Sequence, residues 1–337
     1  MLARHSRLAQ SAYLDLVRML QDEAVGEVRG AAVRVLRGGK AYWYDSYRVG
    51  AQVKRAYIGP ETPELLARLD GQEKLKADAA ERQAARARLV RVLRAEGLAS
   101  TDAPTGSLYA GLAGAGVFRL GGTVIGTHAF RLYEGLLGLR LSLDDAAMTN
   151  DLDIASFEHL SVAVEDVAEP PVSDVLKGFD YEPVPGLKAG KVWRWRSRKD
   201  GALVEFLTPS FRKAEDLRPL TALGVMAQSL HFLNYLIAEP VPAAALYRSG
   251  VLVQVPRPER YAVHKLIVAA RRRGEDLLKA DKDRAQAAML IDALCQDRPD
   301  DLKDALETAR GQGPKWGGLI DKSLRRMALT RALVEEL

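Results

Sequence analysis

The sequence has a single cysteine, Cys295, which excludes an internal disulfide and any cysteine-cluster zinc site. It has no apolar run near the roughly 20 residues needed to cross a bilayer, so no membrane partner is expected. The opening Met1-Leu2-Ala3-Arg4-His5-Ser6 lacks the apolar segment of a secretory signal, and a cytoplasmic location is expected. Charge is nearly balanced: 49 Lys and Arg stand against 44 Asp and Glu, a net +5. That balance is compatible with a polyanionic partner without requiring one. Familiar phosphate and calcium loops are missing too. Gly116 and Gly121 have P-loop spacing, but Gly122 stands where the lysine belongs. Gly114-x-Gly116 is followed by Arg119 in place of the third glycine of a dinucleotide-binding turn. A calcium loop starting at Asp151 fails because Ser156 and Val162 occupy its glycine and final acidic positions.

What is present is a chain of 337 residues, 47% hydrophobic and 28% charged, enough for two or three domains with a proper core. Three regions are expected: an N-terminal helix, β-meander and long helix over 1–98; a catalytic region over 106–255; and a helical C-terminal region over 256–337. A linker at 99–106 separates the first two. The apolar spacing of residues 8–24 predicts an amphipathic helix. Strands are expected at 27–36, 40–48 and 52–58, with turns at Gly38-Gly39 and Val49-Gly50-Ala51. Thr62-Pro63-Glu64 predicts a helix start, running to Glu96 with a break near Gly71. The meander mixes Arg34, Arg37, Lys40, Arg48, Lys54 and Arg55 with Tyr42, Trp43, Tyr44 and Tyr47. Such a surface can grip a phosphate backbone and stack on bases; equally, the aromatics can pack inward while the cations are solvated. Arg82, Arg86, Arg88, Arg91 and Arg94 leave the same two readings open for the long helix.

The central stretch predicts a helix at 107–114, a strand at 116–120, and Val124-Ile125-Gly126-Thr127 leading into a helix over 128–137 closed by Gly138. Gly126 lets the backbone approach a ligand closely, and the N–H groups of the following helix can hold phosphate oxygens. Then comes Thr149-Asn150-Asp151-Leu152-Asp153-Ile154. On a strand Asp151 and Asp153 share one face while Leu152 and Ile154 enter the core. Two adjacent carboxylates repel unless a cation sits between them, and hard oxygen ligands suit Mg²⁺. Asp144 and Asp145 fall in the connecting loop. An acidic helix is expected over 156–178, interrupted at Pro170-Pro171. Residues 192–197 alternate strictly, Asp200-Gly201 signals a hairpin, and the return strand 202–207 carries Glu205. A helix over 234–248 and a strand over 251–255 should end the catalytic sheet. Pro258 opens a helix through Arg273 carrying Lys265, and helices over 300–308 and 319–337 follow, with 311–318 between them.

The apolar–Gly–Thr turn, helix, apolar Asp-x-Asp strand and later acidic strand, in this order, resemble the polymerase-beta-type nucleotidyltransferase superfamily. The segment from Val255 to Leu266 looks like its bacterial minimal and abortive-infection-type members. The resemblance implies an α+β fold: a mixed sheet with flanking helices, a small three-stranded N-terminal β module with a long helix, and a helical C-terminal region. It implies an enzyme that moves a nucleoside monophosphate from an NTP to an acceptor hydroxyl by a two-metal mechanism with Mg²⁺ or Mn²⁺. Asp151, Asp153 and Glu205 would hold the metals; Gly126, Thr127, Lys265 and Arg196 would hold the nucleotide. Asp283 would orient the basic helix. Glu205 departs from the more usual aspartate. The acceptor is expected to be RNA of a tRNA-like kind, and the resemblance also implies an antitoxin or regulatory partner. A small-molecule acceptor, or a non-catalytic nucleic-acid-binding protein keeping the fold, are the alternatives.

Overall fold

The computed structural model describes residues 3–26, 31–37, 39–49, 52–71, 79–141, 151–158, 166–186 and 191–337. Thr149, Asn150, Asp144 and Asp145, the front of the first expected strand and residues 159–165 of the expected acidic helix lie outside the described residues.

Helix α1 (Arg7–Gly26) leads into an antiparallel meander of β1 (Ala31–Arg37), β2 (Lys40–Val49) and β3 (Gln52–Pro60), in that spatial order. Alternation puts Tyr44 and Tyr57 inside, their ring centroids 5.5 Å apart. Asp166 accepts the Tyr57 amide at 2.6 Å and also binds Arg119, which pins the meander to the central region. Thr62 caps α2 (Pro63–Asp70) as expected, its hydroxyl oxygen accepting the Leu65 amide at 3.1 Å. Helix α3 (Ala79–Ala95) packs on α1 through Leu16, Val90 and Leu93.

Three of the basic residues that could have faced RNA have partners within the chain. Arg34 makes two bonds to Glu61, which also accepts the Trp43 indole N–H. Arg86 is 3% exposed and donates to Glu23, and Arg94 donates to the Leu246 carbonyl. Arg88 and Arg91 remain exposed. The arginine-rich half of this helix is therefore in good part packing.

Asp102 caps α4 (Ala103–Gly114). Residues 116–120, expected as a strand, form turns instead. Gly116 and Gly121 both take positive φ (86° and 91°), which breaks any extended run. The chain then enters β4 (Thr123–Ile125), α5 (Gly126–Leu137) and β5 (Leu152–Ala155). Helix α6 (Val172–Gly178) is the part of the expected acidic helix that resumes after Pro170-Pro171. Strands β6 (Tyr181–Pro183), β7 (Arg194–Ser197), β8 (Leu203–Pro209), β9 (Leu217–Leu220) and β10 (Val225–Leu230) complete a seven-stranded mixed sheet. Its spine runs β4-β5-β8-β10-β9. β5, β8 and β10 are parallel neighbours and the other pairs antiparallel. One edge of β8 is shared: β7 pairs with its first half and β10 with its last.

The expected helix over 234–248 is a single turn, α7 (Leu233–Leu236), followed by β11 (Val241–Ala245). β11 pairs with β12 (Val251–Val255) as a separate hairpin, so this return does not belong to the catalytic sheet. Helices α8 (Pro258–Arg271), α9 (Leu277–Asp297), α10 (Pro299–Gly311), α11 (Pro314–Leu324) and α12 (Ala328–Glu335) follow. Pro314 starts a helix inside the stretch 311–318 expected to be a connection. One apolar core runs from the sheet into these helices, joining Ile154, Val204 and Phe206 to Leu266, Leu290 and Leu306.

Candidate active site

Four strands place Ile125, Asp153, Glu205 and Arg194 in one row. Ile125 is the Cα partner of Asp153, Asp153 of Glu205, and Glu205 of Arg194. Directly opposed residues share a sheet face, and neighbouring strands lie about 4.8 Å apart. The alternate residues Leu152, Ile154, Val204 and Phe206 are at most 2% exposed. The hydrophobic alternation that fixes the register therefore drives the two acids onto the opposite face.

The electrostatics follow from this crowding. The Asp153 carboxyl is pushed up to about 7, first by burial and then by the Glu205 charge, with Lys265 and Lys282 opposing and Asp151 reinforcing. Glu205 is raised by burial and by Asp151; Arg194, whose Nη1 lies 4.0 Å from Oε1, and Lys279 pull it down. Asp151 precedes β5, and its Oδ1 accepts the Leu203 amide at 2.9 Å, so this carboxylate also secures the start of β8. Among the described residues, no group of three or more His, Cys, Asp or Glu side chains is gathered closely enough to hold a metal ion by itself.

Gly126 sits against this pair. Its φ is +65°, and a Cβ there would come 2.6 Å from Asp153 Oδ2, so both backbone and space call for glycine. It is the first residue of α5, and Ile125 supplies no side-chain cap, which leaves the positive end of a 12-residue helix beside the acids. Thr127, the next residue of the helix, is buried at 6%. The Tyr261 hydroxyl donates to the Gly126 carbonyl at 2.8 Å and lies 3.1 Å from Gln286 Oε1. Helices α8 and α9 thus hold the glycine turn from behind.

Lys265 is not a mobile surface lysine: it is 9% exposed and donates to Asp283 Oδ1 at 2.6 Å. Asp283 accepts Arg272 through its other oxygen, also at 2.6 Å. Asp283 thus binds the basic helix, as the resemblance implied, and both its oxygens are committed. Arg196 is exposed and opposes Glu182 and Leu203, two residues along β7 from the acid row. Arg194 stands nearer to the acids. His128 is buried with Nδ1 3.1 Å from the Tyr109 hydroxyl. Sequence reasoning missed Tyr261, Gln286, Lys279 and Lys282. The last three share a helix face with Asp283, at spacings of three and four residues, but only α8 and the sheet reveal where that face points.

A family model described as nucleotidyltransferase matches residues 103–311. No curated protein and no solved structure matched the chain. The match takes in the glycine turn, both aspartates, Glu205, Lys265 and Asp283, and spans more than half of the chain. The chain belongs to the nucleotidyltransferase family, and it is on this basis a nucleotidyl-transferring enzyme that takes an NTP.

Proposed function

We propose that this protein transfers a nucleoside monophosphate from an NTP to a hydroxyl at an RNA end, in a reaction that depends on Mg²⁺ or Mn²⁺. The observation that carries the reading is the cross-strand pair Asp153–Glu205 with the uncapped start of α5 at Gly126 against it. Two opposed carboxylates, one held near neutrality by burial and by its neighbour, are hard donors that a divalent cation would relieve. Asp153 and Glu205 would hold the ion, with Asp151 beside them. When bound, the cation supplies charge neutralisation at the transferring phosphoryl group and at the attacking oxygen.

The chain's own residues do the rest. Gly126 and the first amides of α5 receive the β- and γ-phosphates, where the helix dipole favours negative charge. Lys265, locked to Asp283, contributes fixed positive potential in place of a reaching arm. The acceptor oxygen forms a bond to the α-phosphorus, the bond from that phosphorus to the bridging oxygen breaks, and pyrophosphate leaves with the electron pair. The hydroxyl proton leaves to bulk water. Arg194 and Arg196 extend along β7 from the acid row, and Arg88 and Arg91 are exposed, which supports a strand of phosphates as the acceptor.

The test is incubation with each labelled NTP, Mg²⁺ and total RNA. Label in an RNA band supports the reading; label only in a small product moves the acceptor to a small molecule; no incorporation with any NTP overturns it.

A further inference from the structure

Helices α8 and α9 face each other through two polar rungs. Lys265 and Asp283 form one, and Tyr261 and Gln286 form the other. On α8 the two rungs are four residues apart and on α9 three, so each helix presents both on one side. The Lys265 ammonium lies 5.2 Å from the centre of the Tyr261 ring. The tyrosine rung reaches further than its neighbour: the same hydroxyl lies 2.8 Å from the carbonyl oxygen of Gly126. Both members are fixed in place. Tyr261 is 1% exposed and Gln286 0%. Phe130 and Tyr133 of α5 set their rings 6.3 and 5.1 Å from the Tyr261 ring, and Tyr133 donates to the Pro256 carbonyl just ahead of α8. Burial, with the charges of Asp283 and Asp153, pushes the Tyr261 hydroxyl well above its ordinary range, so it stays a donor.

That hydroxyl has a single proton, and two oxygens compete for it: Gly126 O at 2.8 Å and Gln286 Oε1 at 3.1 Å. The amide nitrogen of Gln286, meanwhile, is buried with no hydrogen-bond partner among the described residues, which is costly. The arrangement that serves both side chains has the amide turned over. Gln286 Nε2 then donates to the Tyr261 oxygen, and Tyr261 gives its proton to Gly126. Donors in series polarise one another, which strengthens the bond on the glycine carbonyl. The turn needs such an anchor. Gly126 has no side chain of its own, Ile125 supplies no cap, and Asp153 Oδ2 fills the space where a Cβ would stand. A peptide unit is planar, so a donor fixed on the Gly126 carbonyl fixes the tilt of the backbone that opens α5.

We propose that Gln286 and Tyr261 are positioning residues for the nucleotide: acting in series through the Gly126 carbonyl, they hold the glycine turn where it meets the NTP phosphates beside Asp153. The presence of phosphates at the turn rests on the transfer reading above; the series itself rests on the distances, the burial and the count of protons.

The experiment is steady-state NTP incorporation by the full chain with Mg²⁺ and total RNA, together with equilibrium binding of a non-hydrolysable NTP. Tyr261→Phe removes one oxygen and leaves the ring. It is expected to raise KM and the analogue's Kd about 5- to 10-fold, with kcat within about threefold of wild type, because a ground-state contact has been loosened. A tyrosine that only stabilised the fold would give the opposite split, a smaller active fraction with KM and Kd unchanged, and that result would overturn the proposal. Gln286→Met, alike in length but without donors, is expected to raise Kd about 2- to 3-fold. Added to Tyr261→Phe it should cost nothing more, since the glutamine acts through the hydroxyl. Additive losses in the double variant would overturn the series. A wild type that binds the analogue but transfers nothing would count against the reaction, and the Kd comparison would still decide the series. A wild type that binds no analogue overturns both.

Discussion

Asp153 and Glu205 stand directly opposite each other on the parallel strands β5 and β8, on the face turned away from the core. Among the described residues, the ion pair on this acid row is the long one from Arg194 to Glu205, at 4.0 Å. The sheet therefore stores repulsion at one point. Removing either charge should relieve the cation-free protein while removing the chemistry. Asp153→Asn and Glu205→Gln are expected to melt at or above the wild-type temperature near pH 8 and to lose transfer by at least about 1,000-fold. Thermal melts paired with NTP incorporation check both halves.

The same repulsion sets a pH dependence. Folding raises the Asp153 carboxyl from 3.8 to about 7, so between these values the folded state keeps a proton that the unfolded chain has lost. Stability of the cation-free protein should fall as pH rises through this window, by at most about 4 kcal/mol from this group. Added Mg²⁺ should raise the melting temperature more at about pH 8 than at about pH 5, because the proton competes with the ion. An equal shift at both values would contradict the pairing.

Arg194 bears on the neighbouring acid in the opposite sense. It lowers the Glu205 carboxyl against burial and Asp151, so Arg194→Ala should raise it further. The acidic limb of the pH–rate profile is then expected to move to higher pH. Arg194→Lys should restore much of the shift, and Arg196→Ala, one step along the strand face, should move the limb little.

Much of this site was legible in the residues. The Asp-x-Asp alternation, the glycine before a helix and a third acid on a hairpin return all follow from period-two and capping rules, and Asp283 does hold the basic helix. What was not legible depended on partners. A two-residue turn at Asp200-Gly201 would have set Arg196 opposite Glu205. The turn occupies residues 198–201, which moves the register by two and brings Arg194 there instead. Residues 116–120 have strand-like apolar content, but the glycines on either side turn the chain back. The arginines of α3 resemble a solvated face in sequence, and only the docking of α1 and β11 shows Arg86 and Arg94 bound internally.

Gly126 is the position where a single methyl group should matter most. Gly126→Ala combines a positive φ with a contact to Asp153 Oδ2 at 2.6 Å. A stability loss of about 1–3 kcal/mol is expected, with a larger proportional loss of NTP affinity than of fold. Denaturant melts and NTP-analogue binding separate the two; wild-type affinity in this variant would rule out a nucleotide at the turn.

The most direct measurement is a crystal structure with Mn²⁺ and a non-hydrolysable NTP, with the metal located by its anomalous scattering. The account predicts a manganese peak between the Asp153 and Glu205 carboxylates, with nucleotide phosphates at the amides that open α5. Manganese bound elsewhere, or a nucleotide whose phosphates lie away from Gly126, would contradict it.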